Sequence, residues 1–553
     1  MLNYWWVTRP KRKLDSIPEV LAAFADISLN QEWTGQRGTQ IAYEEALEKA
    51  GLKRVGIRRD QSGSGGRTYK AWLHSLGLIF TQKQTKNIKL TLAGEAIING
   101  DSPVTILKNQ ILKYQFPSSF SVLPNVQVHS RFKIRPFRFL LRLLSDSRLE
   151  RYLTEEEIAK VVIVQAESET DDVYNSIVAK IIRFRELHDL SLPPDFFELY
   201  KPNRSNINPS HPFAHLLDIA NTIVNWIEYT QLAIRNEDKK LVILDDKQDE
   251  VSQILANAPP FIDRPQDQEY FQRKYGLDPN HIKDTRNLEK TANITASMIA
   301  KKKIQMAYLR LSLAKPITAV TPALLAEIME ETGIADSSLV EEILRQAYPH
   351  GSIGAFMSSY FEMAFKGQEQ CIKFELATAE LFREVFKYNA QHLGQTGSKS
   401  APDILLISDN GQYQAIIDNK AYSKYSISGD HHNRMVHNYI ERIENYSQSP
   451  YSLGFFAYIA GGFGHSIDRQ IKNEVRDSGV HGSCVTVAAF IKMIENHQNA
   501  IRCYSHKELR EIFSLDRQIT LADIQQYSGE RLFRPSSLSL AADTVSEYKL
   551  ENR

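Results

Sequence analysis

The stretch from Pro402 to Lys420 restricts the fold of this chain more than any other. Pro402-Asp403 leads into the apolar run Ile404-Leu405-Leu406-Ile407, followed by Asp409-Asn410-Gly411, Tyr413-Gln414-Ala415-Ile416-Ile417 and Asp418-Asn419-Lys420. Asn-Gly between β-branched and aromatic runs is the sequence of a two-residue type I′ hairpin turn, because both central residues there need φ > 0. With Asn410 and Gly411 as the loop, Asp409 faces Gln412, opposed residues have numbers summing to 821, and Asp403 lies across from Asp418. Opposed Cβ atoms sit about 5 Å apart on one face, and the two-residue pleat returns Lys420 to that face. The hairpin is expected to place two carboxylates and one ammonium at the same end of a sheet.

Two adjacent carboxylates repel unless a divalent cation lies between them, and hard oxygen donors select Mg²⁺ or a similar ion over zinc. Such an ion polarises a phosphate and acidifies a bound water, while a lysine orients that water or neutralises charge growing on the phosphorane. Pro-Asp, a gap, then Asp-x-Lys therefore suits hydrolysis of a phosphodiester. The pattern is short, and a salt-bridged strand end carries the same letters.

The flanking sequence is more specific. Phe374-Glu375-Leu376-Ala377-Thr378-Ala379-Glu380-Leu381-Phe382, His392-Leu393-Gly394, Ala401-Pro402-Asp403 and Ile416-Ile417-Asp418-Asn419-Lys420-Ala421-Tyr422-Ser423 together resemble the FokI-like cleavage domain of type IIS restriction endonucleases. In that family a helix bearing Glu leads to a His-Leu-Gly-Gly loop, a Pro-Asp strand start and an Asp-Thr-Lys-Ala-Tyr-Ser strand end. The resemblance implies a PD-(D/E)xK site in which Asp403, Asp418 and Lys420 are catalytic, Asp403 and Asp418 hold Mg²⁺, and Glu375 is the acidic helix residue beside them. Asn419 stands in place of the family's Thr, on a side chain expected to face away from the site.

With 553 residues the chain has room for three or four domains, and 42% hydrophobic with 24% charged residues is ordinary globular composition. No apolar run approaches eighteen residues and Met1-Leu2-Asn3-Tyr4-Trp5-Trp6 lacks a signal-peptide core, so no membrane association and a cytoplasmic location are expected. Cys371, Cys484 and Cys503 do not have metal-ligand spacing and are read as buried fillers in a reducing compartment. The net charge of +1 hides an asymmetry: residues 1–150 hold 23 Lys+Arg against 12 Asp+Glu, so the remainder is acidic by 10. A basic N-terminal region suits a DNA reader, and equally a solvated surface without a partner.

All five tryptophans fall within the first 226 residues and are assigned mainly to core, with Trp5-Trp6 ahead of the basic run Arg9–Lys13 as the exception. Ser62-Gly63-Ser64-Gly65-Gly66 lacks the Gly-Lys-Ser/Thr ending of a phosphate-binding loop. It is read as a flexible connector whose flanking Arg58, Arg59 and Arg67 approach a phosphate backbone or base edges. Tyr69–Ile79 has helical spacing and leads to the strand Ile88–Leu92, the helix–strand–turn–strand order of a winged helix; a similar cadence recurs from Ile223 through Trp226 to Leu244. Arg131, Lys133, Arg135, Arg138 and Arg142 form a basic stretch whose helix starts at Pro136. Asn109–Ser118 and Lys283-Asp284-Thr285-Arg286-Asn287-Leu288 resemble phrases of the AlwI-like group of type IIS and nicking endonucleases. His431, His432 and His437 are read as surface or dimer-contact residues in preference to metal ligands; Asn433-Arg434-Met435 lacks the acidic partner of the FokI-type dimer helix.

The expected architecture is multi-domain α+β. Winged-helix-type DNA-reading units occupy 1–250, a helical connector 251–365, an α/β PD-(D/E)xK nuclease domain 366–515 and a tail 516–553. The resemblance implies a type IIS restriction endonuclease that binds a short asymmetric word in double-stranded DNA and cuts at a fixed distance outside it. A transient homodimer for double-strand cleavage and a cognate methyltransferase in the host are the implied partners. A strand-specific nicking enzyme, the large subunit of a heterodimer, and a DNA-binding regulator with an inert nuclease fold are the alternatives.

Overall fold

A computed structural model describes residues 2–528 apart from 56–61, 125, 202–212, 237, 280, 282, 289–295, 349–350, 366–369, 395–400 and 499–502. Arg58, Arg59 and the tail beyond residue 528 lie outside the described residues. The protein is mixed α and β, with an N-terminal lobe, a three-helix connector and a C-terminal sheet domain.

The N-terminal lobe holds two successive units in which a helix leads into an antiparallel strand pair. In the first unit the helices Ile17–Ser28, Arg37–Lys49 and Ser64–Ser75 precede a hairpin of β1 (Ile79–Thr81) and β2 (Ile88–Leu90), paired with Ile79 opposite Leu90. In the second, Pro136–Leu144 starts on a proline that fixes helical φ where no N–H is needed. It precedes β3 (Tyr152–Leu153), helical segments through Gln165 and the helix Ala214–Tyr229. Strands β4 (Ala233–Arg235) and β5 (Leu241–Ile243) follow, in an antiparallel sheet of order β3-β5-β4. One core joins the units, and Trp5, Trp72 and Trp226 are fully enclosed in it. Trp6 instead stacks on Phe120 at 5.9 Å between ring centroids, with the Arg9 guanidinium over its ring, also 5.9 Å from the centroid.

The expected boundary at residue 250 is placed differently by the packing. Val251, Phe271 and Tyr275 are buried in the N-terminal core, so the stretch after β5 closes that lobe. The connector proper is the trio Ala296–Ala314, Pro322–Thr332 and Ser337–Ala347, packed about Ile304, Tyr308, Ile328, Val340 and Leu344. Thr321 caps the second of these through its hydroxyl on the Leu324 N–H, and Gly333 ends it at φ +69°, a left-handed conformation that glycine adopts without strain.

The C-terminal domain is built on six strands: β6 (Asn389–His392), β7 (Ile404–Ser408), β8 (Tyr413–Lys420), β9 (Ser452–Ala460), β10 (Gly482–Thr486) and β11 (Gln518–Ile519). Their order is β11-β10-β9-β8-β7-β6, antiparallel from β6 to β8 and parallel from β8 onward. Phe374, Phe382, Phe490 and Phe513 cover one face, from helices Cys371–Glu384, Val487–Gln498 and His506–Phe513. Met435, Tyr439 and Ile471 cover the other. Burial of each such side chain stabilises by roughly 1.5–3 kcal/mol. The expected limit at residue 515 falls short, because Ile519 and Ile524 enter this core; the helix Gly354–Met363 likewise joins it from the connector side. Among the described residues no helix is long and apolar enough to cross a membrane. Of the cysteines only Cys484 is buried, and Cys503 is exposed, against the expectation of three fillers.

Candidate active site

Strands β7 and β8 pair from Ile404 opposite Ile417 to Ser408 opposite Tyr413, each pair summing to 821 as expected. The turn itself differs. Neither Asn410 nor Gly411 has positive φ; the left-handed residue is Gln412 at φ 53°, closing a four-residue loop in which the Gly411 N–H donates to Ser408 Oγ at 2.8 Å. A four-residue loop built on an ordinary turn joins the same two strands in the same alignment with one fewer pair, so the register survives the change of turn.

The pleat sorts the strand end. Ile416, Asp418 and Lys420 share one side of β8, while Asn419 turns to the other, where its Nδ2 donates to Thr378 Oγ1 at 2.6 Å. Lys420 Nζ lies 2.6 Å from Asp418 Oδ2, and Asp418 is only 4% exposed. Across the hairpin, Asp403 Oδ2 accepts the Asn419 N–H at 2.7 Å, and the Asp403 carbonyl accepts the Leu393 N–H at 2.8 Å. Burial, then the Asp418 carboxylate, raise the Asp403 pKa well above the usual carboxylate range, with Lys420 opposing and Glu375 adding to the rise. Burial would lower Lys420, but Asp418 and Asp403 outweigh it and hold the ammonium charged above its ordinary value. Glu375 reaches the site from the helix Cys371–Glu384 and meets His392 Nε2 at 2.8 Å. All four residues named from the sequence therefore converge.

The donor set fits a hard divalent ion. Asp403 and Asp418 are oxygen donors, the Asp418 carboxylate opposes ionisation of Asp403, and a cation between them removes that conflict. Among the described residues no group of three or more His, Cys, Asp and Glu side chains forms an all-protein cage. Mg²⁺ commonly binds through one or two carboxylates and completes its shell with water and substrate phosphate, so two carboxylates suffice.

Behind this edge lies a polar cluster that the sequence reading missed. Tyr458, opposite Asp418 on β9, donates its hydroxyl to Glu474 Oε1 at 2.9 Å. Glu474 is fully buried, its Oε2 has no hydrogen-bond partner among the described residues, and burial pushes its pKa up to about 8, with Asp418 adding and Tyr458 and Lys420 opposing. Its sequence signal is a charged residue on the buried stripe Ile467, Ile471, Glu474 of an otherwise amphipathic helix. The histidines are tied to neighbours: His431 to the Tyr425 hydroxyl at 2.9 Å, His432 to Asp477 at 3.1 Å and His437 to Glu441 at 3.1 Å.

In the N-terminal lobe the expected flexible connector is the start of a helix. Ser64, Gly65 and Gly66 form the first turn of Ser64–Ser75, and a Cβ at Gly65 or Gly66 would collide with the Glu44 carboxylate or the Gln40 carbonyl. The glycines thus seat two helices against each other. The basic stretch is largely consumed within the fold: Arg131 pairs with Glu167, Arg135 with Glu169 and Arg142 with Asp171, while Arg138 donates to the Leu255 carbonyl. Arg9 and Arg12 both meet Asp218 at 2.7 Å, and Lys13 meets Glu362. The phrase Lys283–Leu288 lies along the first hairpin, with Arg286 donating to the Leu90 carbonyl and Gln82 donating to the Leu288 carbonyl.

Comparison with known proteins gives two family matches. Residues 334–520 match the model for the FokI cleavage domain, and residues 74–338 match that for the AlwI restriction endonuclease. Among solved structures, restriction endonuclease FokI is 13% identical, with 94% of this chain and 100% of that chain covered and a TM-score of 0.27. FokI bound to DNA is 15% identical, with 93% of each chain covered and a TM-score of 0.27. The BpuJ1 endonuclease binding domain in complex with pyrene- and phenanthrene-modified DNA is 16% identical, covering 49% of this chain and 94% of that one, with a TM-score of 0.35. No curated protein sequence matches the chain.

Proposed function

We propose that this chain, a type IIS restriction endonuclease and site-specific deoxyribonuclease that joins a FokI-type cleavage domain to an AlwI-type region, binds a short asymmetric word in double-stranded DNA and hydrolyses phosphodiester bonds at a fixed distance outside it, using Mg²⁺. The observation that carries this reading is the hairpin end: Asp403 and Asp418 on paired strands, with Lys420 on the side of Asp418.

Each residue has a role that its surroundings suit. Asp403 and Asp418 would hold the ion, and the Asn419 N–H on Asp403 Oδ2 keeps one carboxylate oriented. A bound Mg²⁺ supplies Lewis-acid polarisation of the scissile phosphate and acidifies a water molecule. Lys420, kept charged by Asp418, orients the attacking water and neutralises charge accumulating on the phosphorane oxygens. Glu375 adds negative charge to the same pocket and is fixed by His392.

The N-terminal lobe would do the reading. Its first unit has three helices and a hairpin, and its second has the strand order β3-β5-β4; both suit winged-helix-type DNA binders. One PD-(D/E)xK site cuts one strand, so a double-strand break needs a second nuclease domain, supplied by a transient homodimer. A methyltransferase of matching specificity would protect host DNA. Incubating the protein with plasmid DNA and Mg²⁺ and sequencing both strands at the ends tests the whole reading. Ends at a constant offset from a shared asymmetric word support it, and breaks in one strand only identify the nicking or heterodimer version. Sequence-specific retention without breaks in any divalent metal overturns it in favour of a binding protein.

A further inference from the structure

Resting on the reading of the N-terminal lobe as the DNA reader, we propose that base recognition is concentrated on the outer face of the helix Ser64–Ser75, with Arg67 and Thr68 taking base edges in the major groove, and that the corresponding helix Ala214–Tyr229 of the second unit reads none.

The two helices hold the same place in their units and differ in what their outward residues do. In Ser64–Ser75, Gly66, Tyr69, Trp72 and Leu73 are buried, while Arg67 and Thr68 are exposed and Ser64 and Ala71 half-buried. Ser64, Arg67, Thr68 and Ala71 are spaced i, i+3, i+4, i+7, one stripe along the helix. Arg67 is held by neutral groups: Gln40 Oε1 at 2.9 Å, the Ser62 carbonyl at 2.6 Å and Ser62 Oγ at 2.9 Å. Among the described residues these contacts use three of the five guanidinium N–H donors and none of them is a carboxylate, so they orient the group without an ion pair. A pre-oriented arginine with two donors left is suited to the O6/N7 edge of guanine, and an alanine one turn further along to a thymine methyl. The glycine seat against Arg37–Lys49 fixes the helix that carries this stripe. The turn between β1 and β2 presents exposed Lys83 and Lys86, placed for backbone phosphates.

The second helix has no comparable face. Past Ala214 none of its residues is fully exposed, and its half-buried polar side chains Asp218, Asn221 and Glu228, with Asn225 beside them, are paired within the chain. Asp218 binds Arg9 and Arg12; Asn221 donates to Glu155; Asn225 and Glu228 accept from Arg235, which also meets Glu155. Reading a base there would first require breaking this network.

The test uses the full-length protein. Arg67→Ala, Arg67→Lys, Thr68→Ala and Asn221→Ala, each checked by circular dichroism and thermal melting, are incubated with a randomised DNA library and Mg²⁺, and the words adjoining the cut ends are sequenced. Arg67→Ala is expected to degrade one base position of the word and to cut the parent word about 10- to 100-fold more slowly at limiting protein. Arg67→Lys should not restore that position, because an ammonium lacks the two-pronged edge. Thr68→Ala should loosen a neighbouring position, and Asn221→Ala should keep the parent word. An unchanged word and rate in Arg67→Ala overturns the proposal, as does uniform weakening with the word intact, which would make Arg67 a phosphate contact. A degraded word in Asn221→Ala overturns the assignment of the second unit. If the wild-type protein produces no shared word, the proposed function itself fails, an outcome distinct from all of these.

Discussion

Replacing Asp418 by Asn removes one negative charge at nearly constant shape, 2.6 Å from Lys420 Nζ and beside Asp403. Breaking a buried ion pair costs about 3–5 kcal/mol when the remaining charge is stranded. Here Asp403 still faces Lys420 and is relieved of Asp418's repulsion, so the loss should be smaller, about 1–2 kcal/mol. The effect on the ion should be larger. For a Kd on the order of 1 mM, 10 mM Mg²⁺ stabilises the wild-type cleavage domain by about 1.4 kcal/mol, or roughly 3–6 °C in its melting transition. In Asp418→Asn that shift should shrink to about 1 °C or less. Single-turnover cleavage should fall by about 10³-fold or more, the equivalent of about 4 kcal/mol of lost transition-state stabilisation. Sequence-specific retention of DNA on a gel without Mg²⁺ should stay within about twofold, because the substitution lies on the cleavage domain. Cleavage within tenfold of wild type, an undiminished Mg²⁺-induced shift, or loss of specific retention would each refute the assignment of Asp418.

Glu474 makes stability pH-dependent, because its folded pKa of about 8 lies above the unfolded value near 4.5. Below that lower value the carboxyl is neutral in both states; as pH rises toward 8 the unfolded chain ionises first, so stability falls, by at most about 5 kcal/mol at about 1.4 per unit. Denaturation of Glu474→Gln from pH 5 to 8.5 should show a flatter profile than wild type, and parallel profiles would contradict the assignment. Gly66→Ala sets a Cβ against the Gln40 carbonyl and should destabilise the N-terminal lobe by about 1–3 kcal/mol, weakening DNA retention, whereas unaltered melting and retention would show that the helices can separate freely. Asn419→Ala removes the hydrogen bond to Thr378 at a cost of about 1 kcal/mol and should keep most cleavage activity; loss of cleavage comparable to that of Asp418→Asn would place Asn419 in the site.

The hairpin was legible because side-chain alternation and strand pairing are local properties. Apolar residues on both sides of one turn fix the register, and the register places Asp403 against Asp418. The turn type was not, because Asn-Gly also suits a longer loop, and here Gln412 takes the left-handed conformation that the shorter turn would require of Asn410 and Gly411. Glycines 63, 65 and 66 looked like a linker because their space is occupied by Gln40 and Glu44, some twenty residues earlier in the chain. The same holds for the basic stretch: Glu167, Glu169 and Asp171, which neutralise it, adjoin it only after folding. Glu474 was missed because the partner that gives it meaning, Tyr458, comes from another element.

The sheet domain is finished by its last described stretch: β11 pairs beside β10, and Ile519 and Ile524 fill the core behind it. During translation, at about 5–20 residues per second, every residue of the N-terminal lobe leaves the ribosome well before that strand. A chain released early at any point before residue 518 would lack the edge strand and part of the core of the domain that carries Asp403, Asp418 and Lys420. Interrupted synthesis would then leave the N-terminal lobe whole and the cleavage domain compromised, so the order of the chain makes the cleavage domain complete only after that lobe.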